Sequence, residues 1–533
     1  MQKRILMVAS ENDALPGAKV GGVGDVIRDL PTALTRHNQT VDVLVPSYGF
    51  LSRLAGMRIV AEFEVRFAGK RLNVELLLAS EQGKPGVRQF VLHHATGFSE
   101  KGEMVYCDDD EGPFATDATK FALFCQATAE ALKLGVITRP DVLHCHDWHS
   151  AFLLILLRYS RSYKSLRDIK TVFSIHNLAM QGIRPLRRDS SSMVSWFPGL
   201  ALDLDYVKDL RYPDCINPMR AAILLADKVH TVSPSYAEEI LKPSDHEMGI
   251  YGGEGLEKDL KARALTGDLL GILNGCEYPE FAKRTQPDTK QLCRVLHRAI
   301  EDWASRSPQL KSAHWMAHKR VEKWSRQKQT GKMNITSIGR VTEQKYRLLH
   351  TYIGASRKTT LESMLDALGD RGTLFLLGSG DTALENFLLR VAGKYENFIF
   401  LNGYSSTLSD SLYEFGDLFL MPSSYEPCGI SQMQAMRAGQ PCFVNSVGGL
   451  KDTVQAKVNG FSFSGYNAAD QAEQLFKVYQ DALKLFFGNA NAWKSLCSQA
   501  LAARFSWDDS AKQYLECLYD MPHTEYAASG REN

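Results

Sequence analysis

The chain has 533 residues, 44% of them hydrophobic and 23% charged, with a net charge of +1. That length exceeds one typical core and the composition is ordinary for a soluble globular protein, so two domains are the expectation. Near-balanced charge gives no support to a chain-wide role on nucleic acid or a membrane surface, and the longest fully apolar run, Ala151 to Leu157, is far short of a membrane span.

The first ten residues begin like a signal peptide, but the apolar stretch is short and Glu11 and Asp13 follow at once. They read instead as a first strand, Ile5 to Ser10, and the chain is expected to be cytoplasmic. The runs Val41 to Val45, Asp141 to Cys145, Thr171 to Ile175 and Lys228 to Val232 repeat the pattern, separated by helical stretches such as Ala115 to Leu134. Strand and helix in alternation imply a parallel sheet covered on both faces. Between Phe63 and His94 the pattern becomes alternating, with Ala68-Gly69 as a hairpin turn, so an antiparallel excursion is expected there.

Lys290 to Lys332 is a basic segment of eleven Lys or Arg that also holds Trp303, Trp315 and Trp324. A polysaccharide or nucleic-acid patch would combine these residue types. The favoured reading is a solvated helical pair whose tryptophans face the domain. A second set of parallel-type strands follows: Asn334 to Ile338, Thr373 to Leu377, Phe398 to Leu401, Asp417 to Met421 and Pro441 to Val444. The expected architecture is α/β, two doubly wound Rossmann-like domains facing across a cleft. Its bounds are 1–265 and 266–505, with 506–533 as a C-terminal helix packing back on the first domain plus a polar tail.

Chemistry-bearing motifs fall after the strands, where open parallel sheets bind ligands. Lys19-Val-Gly-Gly-Val-Gly-Asp25 opens the helix Val26 to Arg36. Its glycines allow close backbone approach and Lys19 adds a mobile positive charge, so a phosphate or diphosphate fits there, as does a plain tight connection. His146-Asp-Trp-His149 and His176-Asn177 each follow a strand. Hydrogen bonding to a polyhydroxyl ligand suits them better than a metal ion bound by His144, His146, Asp147 and His149, two of which lie on opposite strand faces. Ten scattered cysteines without a Cys-x-x-Cys pair argue against zinc and against a secreted disulfide framework.

In the second half, Arg340 and Lys345 supply two positive charges just after the first strand of that set, and Tyr404 follows a later one, placed to stack on a base. Pro422-Ser-Ser-Tyr-Glu-Pro-Cys-Gly429 continues through Ser431 and Gln432 and is joined by Gly448-Gly449. A glutamate, a thiol and a glycine-opened helix start suit a sugar held beside a phosphate.

These motifs, with Ile175-His-Asn-Leu-Ala-Met-Gln-Gly182, Thr231 to Glu239, Glu254-Gly-Leu-Glu257 and Gly271-Ile-Leu-Asn-Gly275, resemble the bacterial glycogen synthase and plant starch synthase family from residue 4 to Trp507. The resemblance implies a GT-B hexosyltransferase that passes glucose, with retention, from ADP-glucose to the non-reducing 4-hydroxyl of an α-1,4-glucan. It implies Lys19, Gly21 and Gly22 at the donor diphosphate and Asp25 on the acceptor side. Asp147 and His176 would hold glucose hydroxyls with Asn274 nearby, Arg340 and Lys345 would face the departing diphosphate, and Tyr404 would pack on the adenine. Glu426, Cys428, Gly429, Ile430 and Ser431 would line the glucose and nucleotide side. No metal or other cofactor is implied, and closure of the two domains is expected.

Four features depart from the family pattern, one of them a slightly longer loop before Lys19. Cys276-Glu-Tyr-Pro-Glu-Phe281 follows Asn274-Gly275 in place of an aliphatic residue, Asp and a nearby Trp. Tyr346 replaces a glycine, and Ser424 stands where arginine is common. Readings from other classes are a transferase using UDP-glucose or making a small glucoside, and a glucan-binding protein without turnover. A nicotinamide dehydrogenase is disfavoured because Gly-x-Gly-x-x-Gly is missing.

Overall fold

The computed structural model describes residues 2–79, 86–99, 102–107, 109, 112–278, 288–307, 309–354 and 357–521. These form two compact units: the described parts of 1–244, 252–277 and 506–533, and those of 245–251 and 278–505.

The first unit is built on a nine-stranded sheet among the described residues. Its order is Leu269–Gly271, Lys228–Thr231, Lys170–Ile175, Val142–His146, Arg4–Val8, Thr40–Pro46, Val87–His93, Lys70–Ala79 and Met57–Phe67. The first seven run parallel, and the last two add antiparallel. The expected hairpin is present: Ala68 and Gly69 both have positive φ (49° and 74°), the conformation a two-residue type I′ loop requires. The central strands are buried along almost their whole length because helices cover both faces, which is why they read as mostly apolar runs, with Asp42, His144 and His146 as buried exceptions. Arg4–Val8 is flanked by a strand from each direction of winding, so the chain reverses its order there. The loops leaving the carboxyl ends of Arg4–Val8 and Val142–His146 therefore border a crevice.

The second unit has a six-stranded, wholly parallel sheet among the described residues, in the order Phe398–Leu401, Gly372–Leu377, Met333–Ile338, Leu418–Met421, Cys442–Asn445 and Gly460–Phe463. Its winding reverses between Met333–Ile338 and Leu418–Met421, and those two strands deliver the Arg340 and Glu426 loops.

The basic segment forms the helices Thr289–Ser305 and Ser312–Ser325. Trp324 is buried, edge-on to Phe375 and Phe415, and the Trp303 indole donates to the Tyr404 carbonyl at 2.8 Å, whereas Trp315 is exposed. Much of the positive charge is paired locally, for example Lys323 with Glu396 at 2.6 Å and Arg306 with Asp302 at 2.8 Å. Among the described residues no helix is long and apolar enough to cross a membrane, and the cysteines are free thiols.

Candidate active site

Among the first-unit residues, the Lys19 to Asp25 loop and Asp147 follow the two strands at the reversal, while His176 follows the next strand and Asn274 the edge strand Leu269–Gly271. The helix that follows the glycine loop starts at Gly22, four residues before the expected Val26, so Gly22 and Gly24 lie in its first turn. The amides of Val20 and Gly21 are not open: both donate to Oε2 of the buried Glu11, at 2.8 and 2.6 Å, while the Tyr106 hydroxyl donates to Oε1 at 2.8 Å. Lys19 is likewise engaged, with Nζ 2.6 Å from Asp25 and 3.2 Å from Asp13. Arg28 pairs with the same two carboxylates and with Asp29. Burial raises the Asp25 carboxyl against the lowering pull of Lys19 and Arg28. The loop is thus a folded ionic knot centred on Glu11, Asp13 and Asp25, of which Glu11 and Asp13 carried no motif.

Asp147 sits at the turn from Val142–His146 into the helix Asp147–Tyr159 with φ +54°, a left-handed conformation that non-glycine residues rarely hold. Its Oδ1 accepts the His176 amide at 2.7 Å, so the carboxyl ties two neighbouring strand ends together. Burial lifts its pKa from 3.8 to about 7, partly offset by hydrogen bonds from the amides of His176 and Asn177. His176 is buried and depressed to about 4 by desolvation. His144 and His146, two residues apart on one strand, share a face with ring centroids 4.1 Å apart. Both His144 nitrogens are committed, one with the Tyr519 hydroxyl at 2.8 Å and the other with the Ser174 hydroxyl at 2.7 Å. Asn274 is buried, and its Oδ1 has no partner among the described residues, a polar atom open to a ligand.

In the second unit Arg340 is exposed and, among the described residues, has no hydrogen-bond or ion-pair partner. Lys345 lies in the first turn of the helix Glu343–His350 and is bonded to Glu426 Oε2, which also accepts from the Ser423 hydroxyl at 3.0 Å. Glu426 is buried, and two glycines shape the backbone around it. Gly448, at φ +44°, lies so close to the Glu426 carbonyl that a Cβ would stand 1.9 Å from it, and the Gly449 amide donates to that same carbonyl at 3.1 Å. Gly429, at φ +75°, turns the chain toward Ile430 and the helix Ser431–Arg437, with Cys428 buried beneath. Tyr404 is exposed beyond the strand Phe398–Leu401, its backbone held by Trp303. Within this unit, Arg340, Lys345, Glu426, Cys428, Gly429, Ile430 and Ser431 all follow the two strands at the reversal, and Tyr404 follows an edge strand.

Two of the residue departures from the family pattern are accommodated by packing. Tyr346 enters the core with its hydroxyl 3.3 Å from Ser337, and burial pushes its pKa up to about 12. Ser424 is buried, its amide donating to the Gln344 carbonyl at 2.8 Å. In the third, the backbone of Cys276 pairs with that of Ser506 in an isolated parallel bridge, but Pro279 to Phe281 lie outside the described residues.

Comparison with known proteins gives the family and the fold. Residues 4–262 match the family model described as starch synthase catalytic domain, and residues 319–491 match glycosyl transferases group 1. A glycogen synthase of Desulfitobacterium hafniense is 33% identical over 95% of this chain and 98% of its own. One from Streptococcus equi is 32% identical over 96% and 98%. Among solved structures, the catalytic domain of starch synthase IV from Arabidopsis thaliana, bound to ADP and acarbose, superposes with a TM-score of 0.74 at 24% identity over 98% of this chain and 99% of its own, which shows the GT-B fold. The chain belongs to the glycogen synthase and starch synthase family, hexosyltransferases of the glycosyltransferase class.

Proposed function

We propose that the chain transfers glucose from ADP-glucose to the non-reducing 4-hydroxyl of an α-1,4-glucan with retention of configuration and without a metal ion. The observation that carries this reading is that an exposed Arg340, without a partner among the described residues, and a first-turn Lys345 bonded to the buried carboxylate of Glu426 all follow the two strands at the reversal of one sheet. As the bond between the anomeric carbon and the diphosphate breaks, its electron pair goes to the phosphate oxygen and positive charge grows on the sugar ring. Cations belong at the phosphate and hydrogen-bond acceptors at the sugar. Arg340 and Lys345 serve the first need. Glu426 serves the second, assisted by Asp147 and the open Oδ1 of Asn274, while His176 holds a further hydroxyl.

The acceptor oxygen then bonds to the anomeric carbon on the face the phosphate leaves, and its proton passes to the leaving phosphate oxygen, so no protein nucleophile is needed. Lys19, Gly21 and Gly22 border the diphosphate and Asp25 the acceptor. Cys428, Gly429, Ile430 and Ser431 line the sugar and phosphates, and Tyr404 stacks on adenine. Incubation with ADP-glucose or UDP-glucose labelled in the sugar, with glycogen or short maltooligosaccharides as acceptor, tests the reading. Label is expected in α-1,4 linkage from ADP-glucose; preference for UDP-glucose, or a small glucoside as product, would refute that donor or acceptor.

A further inference from the structure

The histidine His146 has no role in the reading above, yet it is fully buried and its Nδ1 shares a hydrogen bond with Nε2 of His176 at 3.0 Å. Its other nitrogen, Nε2, is buried with no partner among the described residues. Neutral imidazole carries one proton, so only two arrangements satisfy the shared bond. If His176 donates from Nε2, His146 accepts at Nδ1 and must carry its own proton on the orphaned Nε2, leaving a buried N–H with nothing to receive it. If His146 donates from Nδ1, the orphan is a bare lone pair and His176 must carry its proton on Nδ1. Unpaired buried donors are rarer in folded proteins than under-satisfied acceptors, so the second arrangement is favoured.

We propose that His146 is a positioning residue that fixes the tautomer of His176, so that His176 carries its proton on Nδ1 and donates from that atom. The surroundings support a fixed, neutral pair. The His146 ring packs at a tilt against His144, itself clamped between Tyr519 and Ser174, and Ser174 also bonds His230 at 2.7 Å. The His176 backbone is pinned by Asp147 at 2.7 Å, so the ring has a defined origin. Burial and the neighbouring imidazoles hold His146 well below the ordinary histidine range, and no charged form competes near neutrality. Rigid support of this kind sets which atom of a site histidine faces the substrate.

The consequence for catalysis rests on the function proposed above: His176 can then donate to an oxygen of the bound sugar but cannot accept from its hydroxyl hydrogen at that atom. Asparagine offers an Nδ2–H donor in place of the Nδ1–H of His146, whereas phenylalanine keeps a ring and removes the donor. In protein labelled with ring-15N histidine, with His176 assigned by its loss in H176Q, the proton is expected on Nδ1 of His176 in the wild type and in H146N. In H146F it is expected to distribute over both nitrogens. kcat/KM for the sugar nucleotide is expected to stay near wild type in H146N and to fall about 10- to 100-fold in H146F. A proton on Nε2 of wild-type His176 overturns the proposal, as do equal losses in the two variants. The spectrum needs no substrate, so a chain with Nδ1–H on His176 that turns over no sugar nucleotide supports the tautomer assignment and overturns the proposed function.

Discussion

Lys345 and Glu426, eighty-one residues apart, are bonded to each other as an ion pair, with the Ser423 hydroxyl donating to the same carboxylate oxygen. Arg340, five residues before Lys345, stands exposed with no partner among the described residues. The two cations assigned to one leaving group therefore differ in what they do for the fold. Removing Lys345 leaves a buried carboxylate without its counter-charge; removing Arg340 leaves nothing unpaired.

K345A is accordingly expected to lower kcat by about 10²-fold, the scale of one preorganised electrostatic group, and to destabilise the chain by about 1–3 kcal/mol. R340A should lose a similar factor in kcat while melting at the wild-type temperature. Initial rates and thermal melts on the two variants check this contrast. Near-normal turnover in either, or an equal loss of stability in both, contradicts the assignment.

A methyl group at Gly448 would meet the Glu426 carbonyl at 1.9 Å on a backbone already at φ +44°. Neither partner is a flexible side-chain tip, so G448A is expected to displace Glu426 or cost stability, about 1 kcal/mol or more, and to depress kcat with it. Gly488 has open space around its Cβ position at the end of the helix Ala468–Gly488, and G488A serves as the control, neutral or slightly stabilising. Comparable rates for G448A and the wild type would show that the close approach is not needed.

Glu11 accepts two loop amides and the Tyr106 hydroxyl, so E11A is expected to leave three donors without their shared acceptor and to loosen the Lys19 to Asp25 loop. The cost is about 1–3 kcal/mol, with a raised KM for the sugar nucleotide. E11Q retains one acceptor oxygen and should fall between. Urea unfolding and donor titrations measure both effects; a wild-type KM in E11A would mean that the loop holds its shape unaided.

Acid should destabilise the first unit. Burial lowers His176 to about 4 and His230 to about 3 from 6.5, and His144, His146 and His149 fall well below their ordinary value for the same first cause. Between those folded values and 6.5 the unfolded chain binds more protons, so stability rises with pH across that window. Asp147 opposes this: its carboxyl, raised from 3.8 to about 7, keeps a proton that the unfolded chain releases, so its contribution falls as pH climbs through the same range. Asp25, also raised by burial, acts in the same sense as Asp147, and five imidazoles outweigh these two carboxyls. Urea midpoints at pH 7.5 and 5.5 are expected to be lower at 5.5, and an equal or higher midpoint in acid would refute the buried, neutral cluster.

Much of the fold was legible because parallel strands covered on both faces must be apolar along most of their length, as Arg4–Val8 is after its first residue and Gly372–Leu377 after its second. The strand Gly460–Phe463 escaped notice because four residues beginning with glycine carry no periodic signal. The motifs located strand ends, since glycines and charged residues interrupt apolar runs there. What they did not reveal is who bonds to whom. The Tyr106–Glu11 bond spans ninety-five residues and the His146–His176 bond thirty. Neither has a spacing that a linear pattern can register. Lys19 shows the same limit: a lysine before a glycine turn reads as a free cation, and only folding shows Asp25 and Asp13 beside it.

The most direct test of the account is incorporation of labelled glucose from ADP-glucose into glycogen in the presence of EDTA, by the wild type and R340A side by side. The account predicts α-1,4-linked label at a rate that EDTA does not change, falling about 10²-fold in R340A. Label that appears only when a divalent metal is added, or that R340A incorporates as fast as the wild type, would contradict it.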